Sequence, residues 1–306
     1  MCSIEITANM QDTSLVKKHI IEECTFYLVE DVVDYNFCEN TFNKWIINKA
    51  NSNKDKECFP SNIYMIIDTA SNAGIAHWVY ESAILLSFFK DLQKIHPTIK
   101  IHLKTNKTFK LIFLKLFNIN EEDISYSIKE NNICYFIPPI TSLNIKEVLY
   151  FHRKYIYNLK EHFDSVEEDK GQNIDLLVLP RQIKDNYNIG FDYSPLTKII
   201  SILRQEGREL QVLNTDDIND IKTQINIIRR AKNIVLVDGA ALLINGMFAN
   251  NSRIHVVTRN VTRVQSRVYP QMKYLLDLIE INNENILLYF NTEEEFLEYY
   301  SKNIEK

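Results

Sequence analysis

Apolar residues in this 306-residue chain fall into short continuous runs separated by stretches of helical periodicity. Ile63 to Ile67, Ile99 to Leu103, Ile133 to Ile137, Ile174 to Leu179, Glu209 to Leu213, Ile234 to Val237 and Arg253 to Val257 are short and rich in branched residues. They predict strands, several of them buried on both faces. Between them, apolar positions recur at helical spacing. In His77 to Leu92 these are Trp78, Ile84, Leu85, Phe88, Phe89 and Leu92, and Phe109 to Leu116, Ser142 to Phe163, Pro195 to Glu206, Ile218 to Arg230 and Ala241 to Phe248 follow the same rule. Pro195 at the first helical position and Gly207 just past the last are the expected punctuation. Thr292 fits as the N-cap of a final helix reaching Ile304. The first 60 residues alternate short apolar pieces with an Asn- and Lys-rich stretch, and predict a small strand region and a loop or short helix leading into the first unit.

Strands alternating with helices predict parallel sheets with right-handed crossovers. The alternation stops at the charged segment HFDSVEEDKGQN and then restarts. The chain therefore reads as two Rossmann-like α/β domains, residues 1–163 and 164–306, with the C-terminal helix free to pack back on the first.

Composition narrows the function. A net charge of -5 with no long single-sign run gives no electrostatic footprint for nucleic acid. The five cysteines Cys2, Cys24, Cys38, Cys58 and Cys134 are dispersed and include no C-x-x-C pair, which points to reduced thiols in a cytoplasmic compartment. No basic, apolar leader opens the sequence and no apolar run reaches membrane-spanning length, so the expectation is a cytoplasmic protein with no transmembrane segment.

The stretch Asn233 to Ala249, NIVLVDGAALLINGMFA, reads as strand, turn and helix N-terminus. In open α/β sheets ligands bind beyond the carboxyl ends of the strands, where helix N–H groups and the helix dipole favour phosphate. Taken alone, a Gly-Ala turn fits plain strand-helix packing as well as a phosphate site.

The order of motifs from about Tyr64 to about Val257 resembles glycosyltransferase family 61 (DUF563), which includes plant xylosyltransferases and animal O-linked GlcNAc-transferases. The resemblance rests on Asn72, His77, Trp78 and Glu81 after an early strand, then FKLIFLKLFNINEEDI, and then the strand LLVLPR ending in Arg181. Gln224 and the Gly239, Ala240, Ala241, Leu242 and Phe248 series complete it. The family commonly has His where this chain has Asp238. Its second Arg and Asn-Glu after the strand-end Arg have no counterpart in QIKDNYNIGFDY.

The resemblance implies a GT-B architecture, two Rossmann-like domains facing a central cleft. It also implies metal-independent, inverting transfer from a nucleotide sugar, UDP-sugar favoured, to a glycan or glycoprotein acceptor; the expected lack of a leader suits bacterial or viral glycan assembly. No metal or other cofactor is expected, and the chain shows no D-x-D triplet. Inversion needs a base for the acceptor hydroxyl; His77 is the first candidate and Asp68 the second, with Glu81 one turn on to orient His77. Without a metal the leaving diphosphate needs cations and oriented N–H groups, for which Arg181 and the turn Asp238, Gly239, Ala240, Ala241 and Leu242 are the candidates. Asp238 would repel a pyrophosphate, so it suits capping the helix or binding ribose hydroxyls. Arg259, Arg263 and Arg267, spaced by four, make either a solvated helix face or a cationic lip. Competing readings are a catalytically inactive binding or assembly module of the same fold and a Rossmann-type oxidoreductase or small-molecule enzyme. The last is disfavoured because the chain's six glycines form no G-x-G-x-x-G. Oligomeric state stays open, a homodimer included.

Overall fold

The computed structural model describes residues 3–5, 16–21, 24–30, 32–36, 46–49, 62–67, 78–79, 82–104, 108–129, 132–136, 158–166, 171–180, 196–215, 220–258, 261 and 275–304. Two compact units divide the chain, Met1–Glu161 and His162–Lys306. Each is mixed α/β and built on parallel strand pairing.

The first unit begins with β1 (Ser3–Glu5), β2 (Val16–Ile21), β3 (Cys24–Glu30), β4 (Val32–Asn36) and β5 (Ile46–Lys49). Then come β6 (Asn62–Ile66), α1 (Leu86–Ile95), β7 (Lys100–His102), α2 (Thr108–Leu116), β8 (Ile124–Ser125) and β9 (Asn132–Phe136). Its main sheet runs β1-β2-β3-β9-β6-β7-β8, and β4 pairs with β5 separately. The block β9-β6-β7-β8 is parallel, whereas β1, β2 and β3 extend it antiparallel through β9. The small strand region expected of the first 60 residues joins the sheet antiparallel: two residues separate Ile21 from Cys24, its partner in register, and so short a link permits only a hairpin. Trp78, Leu86, Phe89, Leu92 and Phe113 are buried, as are Met65 and Ile66 of β6.

The second unit carries β10 (Ile174–Val178), α3 (Thr197–Gln205), β11 (Gln211–Val212), α4 (Ile221–Arg229) and β12 (Ala231–Val237). It continues with α5 (Ala240–Phe248), β13 (Arg253–Val257), a π-helical turn Leu278–Asn282, β14 (Ile286–Phe290) and α6 (Glu293–Asn303). All five strands are parallel, in the order β11-β10-β12-β13-β14. In chain order this is 2-1-3-4-5, a doubly wound sheet whose direction of winding reverses between β10 and β12. Ile234 to Val237 are fully buried. Val235 and Val237 belong to one core cluster with Leu176, Val178, Ile199, Leu203, Val257, Phe290, Phe296 and Tyr300, which places α3 and α6 on that face. Ile234 and Leu236 point the other way and are covered by α4 and α5, which pack together against β12. The C-terminal helix buries Phe296 and Tyr300 in its own unit's core.

Local signals set the helix ends. Gly207, at φ 73°, closes α3 in a Schellman motif: its N–H meets the carbonyl of Arg204 and that of Arg208 the carbonyl of Leu203. The same helix starts at Thr197, two residues beyond Pro195, because Leu196 turns through φ 59° to seat its side chain in the core. α4 starts at Ile221, three residues later than its apolar pattern predicts, because Asp220 is its N-cap and accepts from the N–H groups of Lys222 and Thr223, each at 3.2 Å. Thr292 caps α6 as expected, accepting from Glu295 N at 3.2 Å.

Burial raises the Asp220 carboxyl, but hydrogen bonds from the Thr223 side chain and from the backbone of Lys222 and Thr223, with the Lys222 charge, outweigh it and hold the group below its ordinary value. The cap's contribution is therefore present at neutral pH and is lost as pH falls through that lowered value. Asp220→Ala should cost about 1 kcal/mol at pH 7. Urea denaturation should show wild type and variant converging in acid, below the ordinary carboxylate value of 3.8.

Candidate functional site

The site is built where β12 ends. Its buried apolar run carries the chain to the carboxyl edge of the sheet, and the half-buried residues Asp238 and Gly239 turn it into α5. Gly239 holds φ 81° and ψ -136°, a region open in practice only to glycine. It is also the N-cap, so the helix starts without a side-chain cap; the place offered to Asp238 as a helix cap is filled by Gly239. Leu243 N–H donates to Gly239 O at 3.0 Å, so the leading N–H groups belong to Ala240, Ala241 and Leu242, the residues the sequence singled out. Ala240 and Ala241 are half-buried, whereas every residue from Leu242 to Ala249 is buried. The first turn of α5 is thus its accessible part.

The neighbouring helix start is already occupied. α3 also begins at the carboxyl edge, but its Ile199 N–H donates to Glu293 Oε2 of α6 at 2.9 Å, and Lys198 pairs with Glu294. The Lys198 hydrogen bond, foremost among several contacts, pulls the Glu294 carboxyl down to about 2. A protein carboxylate thus sits where an anion would bind the head of α3.

α5 is held rigidly from the side and from behind. Gln224 Nε2 of α4 donates to Asn245 Oδ1 at 2.6 Å, and Asn245 Nδ2 donates to Ala241 O at 2.8 Å. Phe248 lies edge-on to Phe163, ring centroids 4.8 Å apart. At the far end Asn285 Nδ2 donates to Ala249 O at 3.1 Å while its Oδ1 accepts from Ser252 N at 2.9 Å. Gln224 and Phe248, which carry part of the family resemblance, therefore position this helix from its buried side, together with Asn245.

Asp238, Gly239, Ala240, Ala241 and Leu242 share this one turn. Asp68, His77, Glu81 and Arg181, with Asn72, Arg259, Arg263 and Arg267, lie outside the described residues. Trp78, which follows His77, is buried against Phe109 and Phe113. Among the described residues no group of three or more His, Cys, Asp or Glu stands together as a metal site, and no helix is long and apolar enough to cross a membrane. The Cys134 thiol is pushed up by burial and stays protonated.

Sequence reading missed Thr258, Glu293 and His255. Thr258 is buried one residue past the end of β13, beside the turn, since Val237 and Val257 are in register. A polar residue directly after an apolar strand was its only signal. Glu293 and His255 depend on long-range packing and left none.

No protein-family model matches the chain, and no curated protein matches it in sequence.

Asn245→Leu removes the acceptor for Gln224 inside the protein. It should lower the free energy of unfolding by about 1–3 kcal/mol, the cost of a buried polar group left unpaired, and Gln224→Leu made on top of it should recover part of that loss in a double-mutant cycle.

Proposed function

We propose that the protein is an inverting, metal-independent glycosyltransferase of the GT-B class, related to glycosyltransferase family 61, that moves a sugar from a nucleotide-sugar donor, UDP-sugar favoured, to a glycan or glycoprotein acceptor. The observation that carries this reading is the accessible first turn of α5, entered through Gly239 at φ 81° and set where the winding of the five-stranded sheet reverses. Crevices at such reversal points are where open α/β sheets bind nucleotides. The helix N-terminus supplies oriented N–H groups and a positive dipole end for a diphosphate.

In this reading the two units form the facing domains of a GT-B enzyme. The N–H groups of Ala240, Ala241 and Leu242 receive the diphosphate, and Arg181 adds a forked cation. Asp238, one residue ahead of the N-cap, accepts hydrogen bonds from ribose hydroxyls. His77, oriented by Glu81, or else Asp68, takes the acceptor hydroxyl's proton. The acceptor oxygen then bonds to the anomeric carbon as the bond to the diphosphate breaks on the opposite face, and the electron pair leaves with the nucleoside diphosphate. Charge on that leaving group grows in the transition state, so donors fixed before the reaction stabilise it without reorganising. Asp238 motivates one alternative, a catalytically inactive assembly module, because its carboxylate weakens any diphosphate site.

Isothermal titration against UDP, GDP, ADP and CDP tests the reading. At least one should bind, and at a hundredfold excess over Kd it should stabilise the fold by about 2.7 kcal/mol in a thermal-shift assay. Gly239→Val should weaken that binding tenfold or more. If none of the four binds and Arg181→Ala leaves cellular function intact, the assembly-module reading replaces this one.

A further inference from the structure

His255 stands on β13 beneath the C-terminal helix, fully buried. Its ring contacts Phe290 of β14 at 5.9 Å between centroids, and Phe296 and Tyr299 of α6 at 5.3 and 5.8 Å. Nε2 lies 3.3 Å from Asn233 Oδ1 of β12. Asn233 Nδ2 donates to Asp175 O at 3.0 Å, so Oδ1 is the acceptor end of that amide and the imidazole carries its proton on Nε2. Nδ1 is then a lone pair enclosed by aromatic rings, and among the described residues it has no hydrogen-bond partner.

We propose that α6 is an acid-released strap: protonation of His255 lifts it from the sheet, and withdrawal of Glu293 uncovers the first-turn N–H of Ile199 at the head of α3. A proton on Nδ1 would be a charged donor buried with nothing among the described residues to accept from it, a state the closed helix does not relieve. The groups facing the imidazole are the Asn233 amide from β12, the Phe290 ring from β14, and the Phe296 ring and Tyr299 phenol from α6. The charge acting on it is Arg253 of its own strand, which repels a second cation. Burial first and Arg253 second hold the imidazole down to about 4, against 6.5 when exposed. Between those values the open form takes the proton and the closed form does not, so opening becomes easier as pH falls. α6 packs on β13 and β14 from outside, and an outer helix can open ahead of the sheet it covers. The release stands independently of the glycosyltransferase reading.

Hydrogen exchange on the full chain, corrected for intrinsic rates, tests this. Between pH 7 and pH 5 the opening equilibrium of α6 and of the Ile199 amide should rise about 20-fold, with α6 opening more readily than β12 at both pH values. His255→Gln, which keeps a donor for Asn233 and does not titrate, should abolish the rise. Equal protection of α6 and β12, which would mean that α6 opens only with the whole unit, or an undiminished pH dependence in His255→Gln, would overturn the proposal. Should that variant fail to fold, the wild-type comparison of α6 with β12 decides alone.

Discussion

Burial of β12 on both of its faces is the constraint on which the second unit depends. Four consecutive residues, Ile234, Val235, Leu236 and Val237, are fully out of water. A strand with two apolar faces needs helices on both sides and strands on both edges. α3 and α6 cover one face, α4 and α5 the other, and β10 and β13 flank it. With β10 and β12 adjacent and β11 outside them, the winding must reverse at β12. The reversal brings the carboxyl ends of two neighbouring strands into one crevice. The candidate site is therefore a consequence of how an apolar strand is covered.

Asparagine connects this frame to the site. Asn and Lys are abundant throughout the chain, which argues for discounting any one of them, yet Asn245 and Asn285 are buried and bonded to main-chain or side-chain partners. Asn245 ties the first turn of α5 to α4, and Asn285 satisfies carbonyls left open at its last turn. Fixed at its side and its far end, the helix presents its first turn without having to order itself on binding, which spares the ordering cost that weakens ligand sites on mobile loops.

The parts of this arrangement legible in the sequence were those written in local pattern. The run ending in Val237, the Asp-Gly turn and the helix from Ala241 follow from apolar runs and glycine alone, as does the Thr292 cap. Ile286 to Phe290 is as apolar as the other strands, yet it is a short run between polar turns and was missed as β14. The antiparallel extension β1-β2-β3 rests on pairing with β9, more than a hundred residues along the chain, and no local window contains that information. Glu293 on the head of α3 and His255 under α6 escape notice for the same reason: each acquires its meaning from a partner across the fold. Asp238 was legible as a departure from the family pattern, but only the backbone at Gly239 showed that a different residue fills the N-cap.

The central claim is that a diphosphate sits on the first turn of α5. Amide chemical-shift mapping of the isotope-labelled full chain during a UDP titration tests it most directly. The account predicts the largest shifts at Gly239, Ala240, Ala241 and Leu242, saturating together, with inorganic phosphate moving the same amides at higher concentration. Saturable UDP shifts confined to other parts of the chain, with these four amides unmoved, would contradict it.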